Sequence, residues 1–553
     1  MSTLGVSLLP VEGQLGYEDE HSGHGGGGGG SHHHHHTEHE RELMLSYESL
    51  DYDECASRTA AEEKLQQSKA YKKTRNFANW GVYSVVGFVT GTTAFIIAVC
   101  VSWLSELKFA TTSHVLLTSS LGRATISARI CAYLVFASFS LGFVAIATFL
   151  VAIIEPAAGG SGIPEIKGYL NGTNYKRLLY LKTLIVKCVG VLFSVSGGLT
   201  VGKEGPLVHT GSGLGAIVSH CPDVPVPCSK GKRIQLARSE LARSFRNDRD
   251  KRDFVSGGCA AGVGAAFGAP IGGVLFSLEE ASSFWSLPLT WKVFFCSMTS
   301  TFTLALWKTV VAEGGASSLN APGLITFGKF KDSAYHVWEL PIFALMGVFG
   351  GCAGALFNAV NVKICHLRRD LCGPRPGDAS PSTRCWRKPL TKKMARMAEA
   401  LTIALLTATL QYWVPALPIF RCKPNVVVSD PTAATATAFG FQQQLQQSTM
   451  LFNHTSSAAA GLGEPAQEAK GERLPLSQYT CPDGYHNDMA SLFFQPSEAV
   501  IKGIFHNPGQ TEEWALVIYY VCIFFLAVIT YGIAVPSGLF VPGEYTCYVS
   551  LHL

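Results

Sequence analysis

Gly202-Lys203-Glu204-Gly205-Pro206 lies between strongly apolar stretches, and its reading decides the fold. Two glycines, two charges and a proline do not continue an apolar helix, so the backbone is broken there. Two further cassettes interrupt apolar sequence in the same manner: Gly160-Ser161-Gly162-Ile163-Pro164-Glu165 and Gly538-Leu539-Phe540-Val541-Pro542. Within hydrocarbon, non-helical backbone persists only where protein buries it or where it lines a polar cavity. The pattern predicts an all-α polytopic membrane protein whose interrupted helices surround an ion.

Composition points the same way. The chain has 553 residues, 47% hydrophobic and 15% charged, with a mean hydropathy of +0.22. A soluble domain carries about 25% charged residues, so a fully water-facing surface is not provided for. The 56 glycines suit close helix packing and interrupted helices in a bilayer. A net charge of +4, with no basic stripe or aromatic platform, gives no support for a nucleic-acid partner. No metal-ligand set and no nucleophile–base arrangement is visible, so neither an enzyme nor a cofactor is expected. The 16 cysteines include no CxxC pair. Cys422 and Cys481 flank a long polar stretch and are either joined in an oxidising lumen or left as free thiols.

Apolar runs fall at roughly 79–104, 127–154, 181–200, 254–279, 291–311, 338–361, 396–419 and 513–542. Several are long enough to cross about 30 Å of hydrocarbon. The shorter ones fit half-helices that end at mid-membrane. Residues 1–78 are expected to be a disordered tail, containing the glycine run 25–30 and the histidine run 32–36. The histidines fit a natural low-complexity tract, an expression tag or a weak metal binder. Lys64, Lys69, Lys72, Lys73 and Arg75 precede the first run, which places the N-terminus in the cytosol. No positive n-region precedes an apolar segment at the start, so the first span is expected to act as its own insertion signal.

Residues 219–253 are expected to form a polar connection ending in the charge cluster Arg246-Asn247-Asp248-Arg249-Asp250-Lys251-Arg252-Asp253, at a membrane surface or in a solvated loop with internal ion pairs. Residues 420–500 suggest a long luminal loop, with Asn453 of Asn453-His454-Thr455 as a glycosylation candidate. Asn171-Gly172-Thr173 is a second sequon, beside the first cassette.

The cassettes carry the chemistry. A helix's first turn presents unpartnered N–H groups and about half a positive charge, enough to hold an anion without trapping it. Gly160 and Gly162 allow close backbone approach, Ser161 offers a hydroxyl, and Pro164 can open a helix. The plainer alternative is a serine-capped packing turn. Glu204 is a carboxylate in an apolar setting, where an ionised group is expensive. Deprotonated, it can occupy an anion site; protonated, it has no reason to stay, so it can compete with an anion and carry a proton. Pairing with Lys203 or a bundle partner is the alternative.

Glu279 and Glu280 are adjacent, so they point about 100° apart on a helix. One is expected to face the interior as a proton relay and the other solvent, unless both mark a helix end at the surface. Leu539 and Phe540 can donate backbone N–H groups if a helix starts there; otherwise Phe540 packs in a loop.

At these residues the sequence resembles the CLC family of chloride channels and chloride/proton exchangers. All three cassettes appear in family order, as do Phe267-Gly268-Ala269-Pro270-Ile271-Gly272-Gly273 and Leu275-Phe276-Ser277-Leu278-Glu279-Glu280. Tyr47-Glu48-Ser49-Leu50-Asp51-Tyr52-Asp53 and Asp248-Arg249-Asp250-Lys251-Arg252-Asp253-Phe254 resemble its late-endosomal member more narrowly. The resemblance, from about residue 47 to 542, implies a fold of inverted repeats with half helices and a homodimer with one ion pathway per subunit.

It further implies that Ser161, with Gly162 and Ile163, binds the central chloride together with Leu539 and Phe540. Glu204 would be the gating glutamate and Glu280 the proton glutamate. Gly160, Pro164, Gly202, Lys203, Gly205, Pro206, Gly538, Val541 and Pro542 would shape the selectivity cassettes. The implied activity is electrogenic chloride/proton antiport in late endosomal or lysosomal membranes, with a channel lacking proton coupling as the alternative.

In the family, further membrane helices and paired nucleotide-binding CBS domains follow the third cassette. Residues 543–553 diverge from that pattern, so 79–542 is expected to be a partial membrane domain without CBS domains. The chain is accordingly expected to transport poorly alone, or to serve as a non-transporting subunit that modulates a full-length partner.

Overall fold

The computed structural model describes residues 48–50, 52, 68–118, 126–219, 245, 247–313, 336–372, 389–420, 422–424, 476–479, 481–482, 484–506, 511–540 and 543. Asn453, Val541, Pro542, the glycine and histidine runs and the 544–553 stretch lie outside them.

Helix follows helix along the chain. Two-residue strands β1 (Glu48–Ser49) and β2 (Thr173–Asn174) pair antiparallel, as do β3 (Lys423–Pro424) and β4 (Tyr485–His486). The principal helices of the first half are α1 (Lys69–Thr118), α2 (Ile126–Phe149, running into a π-turn Leu150–Ile154), α3 (Ile163–Leu170), α4 (Leu181–Ser196), α5 (Glu204–Ser219), α6 (Asp248–Phe267), α7 (Pro270–Leu275, running into a π-turn Phe276–Ala281) and α8 (Leu287–Glu313). There follow α9 (Leu340–Cys372), α10 (Pro389–Trp413), α11 (Asp488–Phe493), α12 (Ser497–His506) and α13 (Glu513–Thr530). Among the described residues, five helical stretches are long and apolar enough to cross a membrane: Lys69–Leu116, Ile126–Ile154, Val337–Arg368, Lys393–Ala416 and Glu513–Thr530.

The centre is the crossing of α5 and α6, both almost wholly buried. Glycine makes the crossing possible. A Cβ on Gly211 would lie 2.2 Å from the Gly258 carbonyl oxygen, and one on Gly258 would lie 2.0 Å from that of Gly211. Small residues allow such backbone approach, which dispersion then stabilises without any help from water. The outer helix α1 repeats the device against α8, where Gly87 and Gly91 face the carbonyl oxygens of Cys296 and Ser300.

Two expectations are corrected here. Part of the stretch 1–78, expected to be a disordered tail, is ordered: α1 starts at Lys69, and β1 with Tyr52 is clasped to the body, while the rest of that stretch lies outside the described residues. Tyr52 is buried there, donates its hydroxyl proton to the Tyr169 carbonyl at 2.9 Å, and lies under the Arg252 guanidinium. Burial pushes its phenol above the ordinary tyrosine range. The charge cluster ahead of the fourth apolar run is not a loop. Asp248 to Asp253 form the first turns of α6, capped by the Asn247 side chain, which accepts from the Asp250 N–H. Arg75 of α1 donates to Asp250 at 2.7 Å, and Arg252 pairs with Asp253.

The long polar stretch of 420–500 has structured ends. Cys422 and Cys481 form a disulfide, which settles the choice between bridge and free thiols. Lys423 pairs with Asp488 at 2.7 Å and with Glu512 at 3.3 Å. Partial burial works against its charge, but the two carboxylates prevail and hold the ammonium above the ordinary lysine range.

Gly258→Val should disrupt the α5–α6 crossing by overpacking, costing about 1–3 kcal/mol. The expected readout is a lower midpoint in a thermal aggregation scan of detergent-solubilised protein, with Gly142→Val, where a Cβ meets nothing within 4 Å, unchanged.

Candidate anion and proton site

The three cassettes converge. Gly160 donates its N–H to the Val535 carbonyl at 3.0 Å, and its own carbonyl accepts from Ser537 at 3.1 Å. Gly202 and Gly538 exchange two N–H···O=C bonds, each 2.9 Å. The broken backbone is thus satisfied by short parallel and antiparallel bridges between segments distant in sequence. Gly205 is where they meet: a Cβ there would lie 2.6 Å from Ser161 Oγ and 3.3 Å from the Gly538 Cα.

Each cassette also starts a helix. Pro164 occupies the first turn of α3, with Gly162 as N-cap at φ +86°. The Ile163 N–H points to Ser161 Oγ at 3.4 Å, so the serine is itself a helix-start residue. Glu204 is the first residue of α5 and Pro206 sits in its opening turn, where no N–H is needed. The Gly543 N–H donates to the Leu539 carbonyl at 3.1 Å, the first helical bond after the third break. Helix beginnings, with their positive ends, therefore gather at one place. Ser161, Lys203 and Glu204 are buried there, while Phe540 is partly exposed and packs edge-on against Phe267.

Supports that the sequence reading passed over hold this arrangement. Lys187 of α4 donates to the Gly159 and Gly160 carbonyls at 3.1 and 2.8 Å, fixing the entry to the first cassette. Lys182 and Lys187, the two lysines within the apolar run 181–200, were the available signal. His209 of α5 is buried, with Nε2 3.1 Å from the Leu178 carbonyl. Its Nδ1 stands against Gly162, where a Cβ would come within 2.1 Å. Ser194 donates to the Pro536 carbonyl at 2.9 Å.

Behind the third cassette, Arg368 of α9 donates to the carbonyls of Ile529 and Tyr531 and pairs with Glu399. Asn361 donates to the Val528 and Tyr531 carbonyls. The last turn of α13 and the link leading to Pro536 are anchored in this way.

Glu280 lies apart from this gathering. Neither Glu279 nor Glu280 faces the interior in this chain, contrary to the expectation that one of them would: both are exposed on the π-turn after α7. Glu280 is 3.6 Å from Lys167. Lys167 belongs to α3, the short helix that begins at the first cassette, so α3 spans from the anion loop to the glutamate pair. Beside Glu204 a cavity of about 90 Å³ opens, lined also by Lys203, Thr200, Gln495 and Tyr519. Among the described residues no group of three or more His, Cys, Asp or Glu is placed to hold a metal ion.

Apolar helices broken at a shared buried centre define a polytopic membrane protein. A family profile described as "Voltage gated chloride channel" matches residues 143–543, and the chain belongs to that family, the CLC proteins. It is similar to the H(+)/Cl(-) exchange transporter 7 of Homo sapiens, 36% identical over 508 residues, covering 91% of this chain and 53% of the relative. It is similar also to chloride channel protein A of Dictyostelium discoideum, 32% identical over 513 residues, covering 92% and 54%. The chain thus spans about half the length of the curated relatives it matches. Among solved structures, a slow cyanobacterial Cl-/H+ antiporter matches with a TM-score of 0.51 and 18% identity, covering 84% of this chain and 76% of the other, a likeness of fold.

Gly205→Ala should leave the helices in place but push the Ser161 hydroxyl away from the gathering point. Anion binding measured by isothermal titration calorimetry should weaken by about tenfold, with the far-ultraviolet circular dichroism unchanged.

Proposed function

We propose that this chain contributes the ion pathway of an electrogenic chloride/proton antiporter of endosomal membranes. The observation that supports it most is the meeting of the three broken segments at Gly205, next to the fully buried carboxylate of Glu204. Backbone N–H groups at helix starts favour an anion. The Ser161 hydroxyl, the Gly162 and Ile163 backbone and the N–H groups of Leu539 and Phe540 are the donors proposed for a central chloride. Gly160, Pro164, Gly202, Lys203, Gly205, Pro206 and Gly538 are proposed to give those donors their backbone shape.

Glu204 is the proposed gate. As a carboxylate it takes an anion's place at the start of α5; on gaining a proton it loses that attraction, and chloride enters. Glu280 is proposed to collect the proton from solvent, with Lys167 beside it raising the local positive potential. Chloride moving one way and a proton the other carry current in the same direction, so such a cycle is electrogenic.

The proposed orientation puts the N-terminus in the cytosol. Arg75 near the start of α1 contacts α6, while Phe109 near its far end contacts Phe494 beyond α11. At about 1.5 Å per residue, these 34 helical steps span about 50 Å. The Cys422–Cys481 disulfide adjoins the far end, which suits an oxidising lumen opposite a reducing cytosol. The working unit is proposed to be a homodimer with one pathway per subunit.

The test is flux from proteoliposomes carrying a full-length version of the protein. A chloride gradient should drive protons uphill; chloride conductance without proton movement would instead establish the channel reading. Glu204→Ala should abolish proton coupling while chloride still passes, and Glu280→Ala should remove proton coupling first. Ser161→Pro should shift the anion preference from chloride toward nitrate in the same assay. Normal exchange in Glu204→Ala would remove that residue from the mechanism.

A further inference from the structure

Lys108 sits in the second half of α1, only 1% exposed, between the rings of Phe109 and Phe136 at 5.0 and 4.9 Å. Among the described residues no carboxylate lies within ion-pair distance of its ammonium. Two aromatic faces recover only part of the hydration that a lysine gives up on burial. A buried cation inside a membrane-spanning segment needs a compensating charge.

Room for one exists. Lys108 lines the cavity of about 90 Å³ that reaches Glu204, together with Ser105, Gly198 and Gln411. That volume exceeds several-fold the roughly 10–15 Å³ a single water requires. Gly198, at φ +86°, creates the space: a Cβ there would lie 2.9 Å from Lys108 Nζ and 3.0 Å from Gln411 Oε1. The Gln411 amide is held in place by donating to the Gly198 carbonyl at 2.9 Å.

We infer that Lys108 anchors a second anion site, separate from Ser161, at which a small monovalent anion such as chloride waits in the cavity before exchanging with the Glu204 position. The inference rests on the pathway reading above for its role, but the site itself stands on the buried cation and the cavity. The ammonium supplies charge and N–H donors, the Ser105 hydroxyl a further donor, and the two rings narrow the space around them. An ion held there would be drawn from dilute solution to a point open to the gate.

Bromide replaces chloride as a probe whose anomalous diffraction locates it. Crystals of the protein grown in bromide should show one peak at Ser161 and another within hydrogen-bond distance of Lys108 Nζ. Lys108→Met should lose the second peak alone, and Lys108→Arg should retain it. In proteoliposomes, Lys108→Met should raise the half-saturating chloride concentration on the cavity side by about tenfold, as the loss of one charge-assisted contact implies. A peak at Ser161 without one at Lys108 would overturn this inference and leave the proposed function intact. A peak at Lys108 alone would support the site and remove the central-anion reading, and bromide at neither position would remove both.

Discussion

Four main-chain hydrogen bonds, between Gly160 and the Val535–Ser537 link and between Gly202 and Gly538, hold the centre of this protein together. A chain that interrupts its helices inside hydrocarbon must satisfy the released backbone groups or forgo the fold. Here the interruptions satisfy one another, so the constraint that would forbid each break alone is met by bringing them together. Glycine at Gly205 and Gly538 is what lets the backbones approach so closely. The gathering of helix beginnings, and the positive potential that comes with it, is a by-product of that mutual satisfaction.

Much of the site was legible because the breaks are local events. Gly160 to Pro164 and Gly202 to Pro206 are read as helix starts from glycine and proline alone, and α3 and α5 begin where those residues require. What α5 becomes was not legible. Glu204–Ser219 is diluted by glycine, threonine, serine and histidine, and no apolar run marks it. Surrounded on all sides by protein, it needs small residues for close contact more than it needs hydrophobicity. The bridges to Pro536 and Gly538 join segments far apart in the chain, and no residue pattern announces such a pairing.

The charge-rich start of α6 teaches a different lesson. Asp248 to Asp253 reads as a solvated cluster by composition, yet Asn247 followed three residues later by Asp250 is a helix-start signal. Charge density outweighed capping in the reading, and capping prevails in the fold because Arg75 and Asp253 supply partners for the charges. Lys187 was hidden for a related reason. Within an apolar run an occasional lysine looks like a tolerated exception, and the value of Lys187 comes from two carbonyl groups on another segment.

The bond between Cys422 and Cys481 encloses 58 intervening residues in a covalent ring. Cutting the chain once anywhere inside that ring produces two polypeptides that stay joined, so a protease could open the loop without releasing α11, α13 or the Gly538 segment. In a degradative compartment, such a ring separates the fate of the residues it encloses from the integrity of the membrane body.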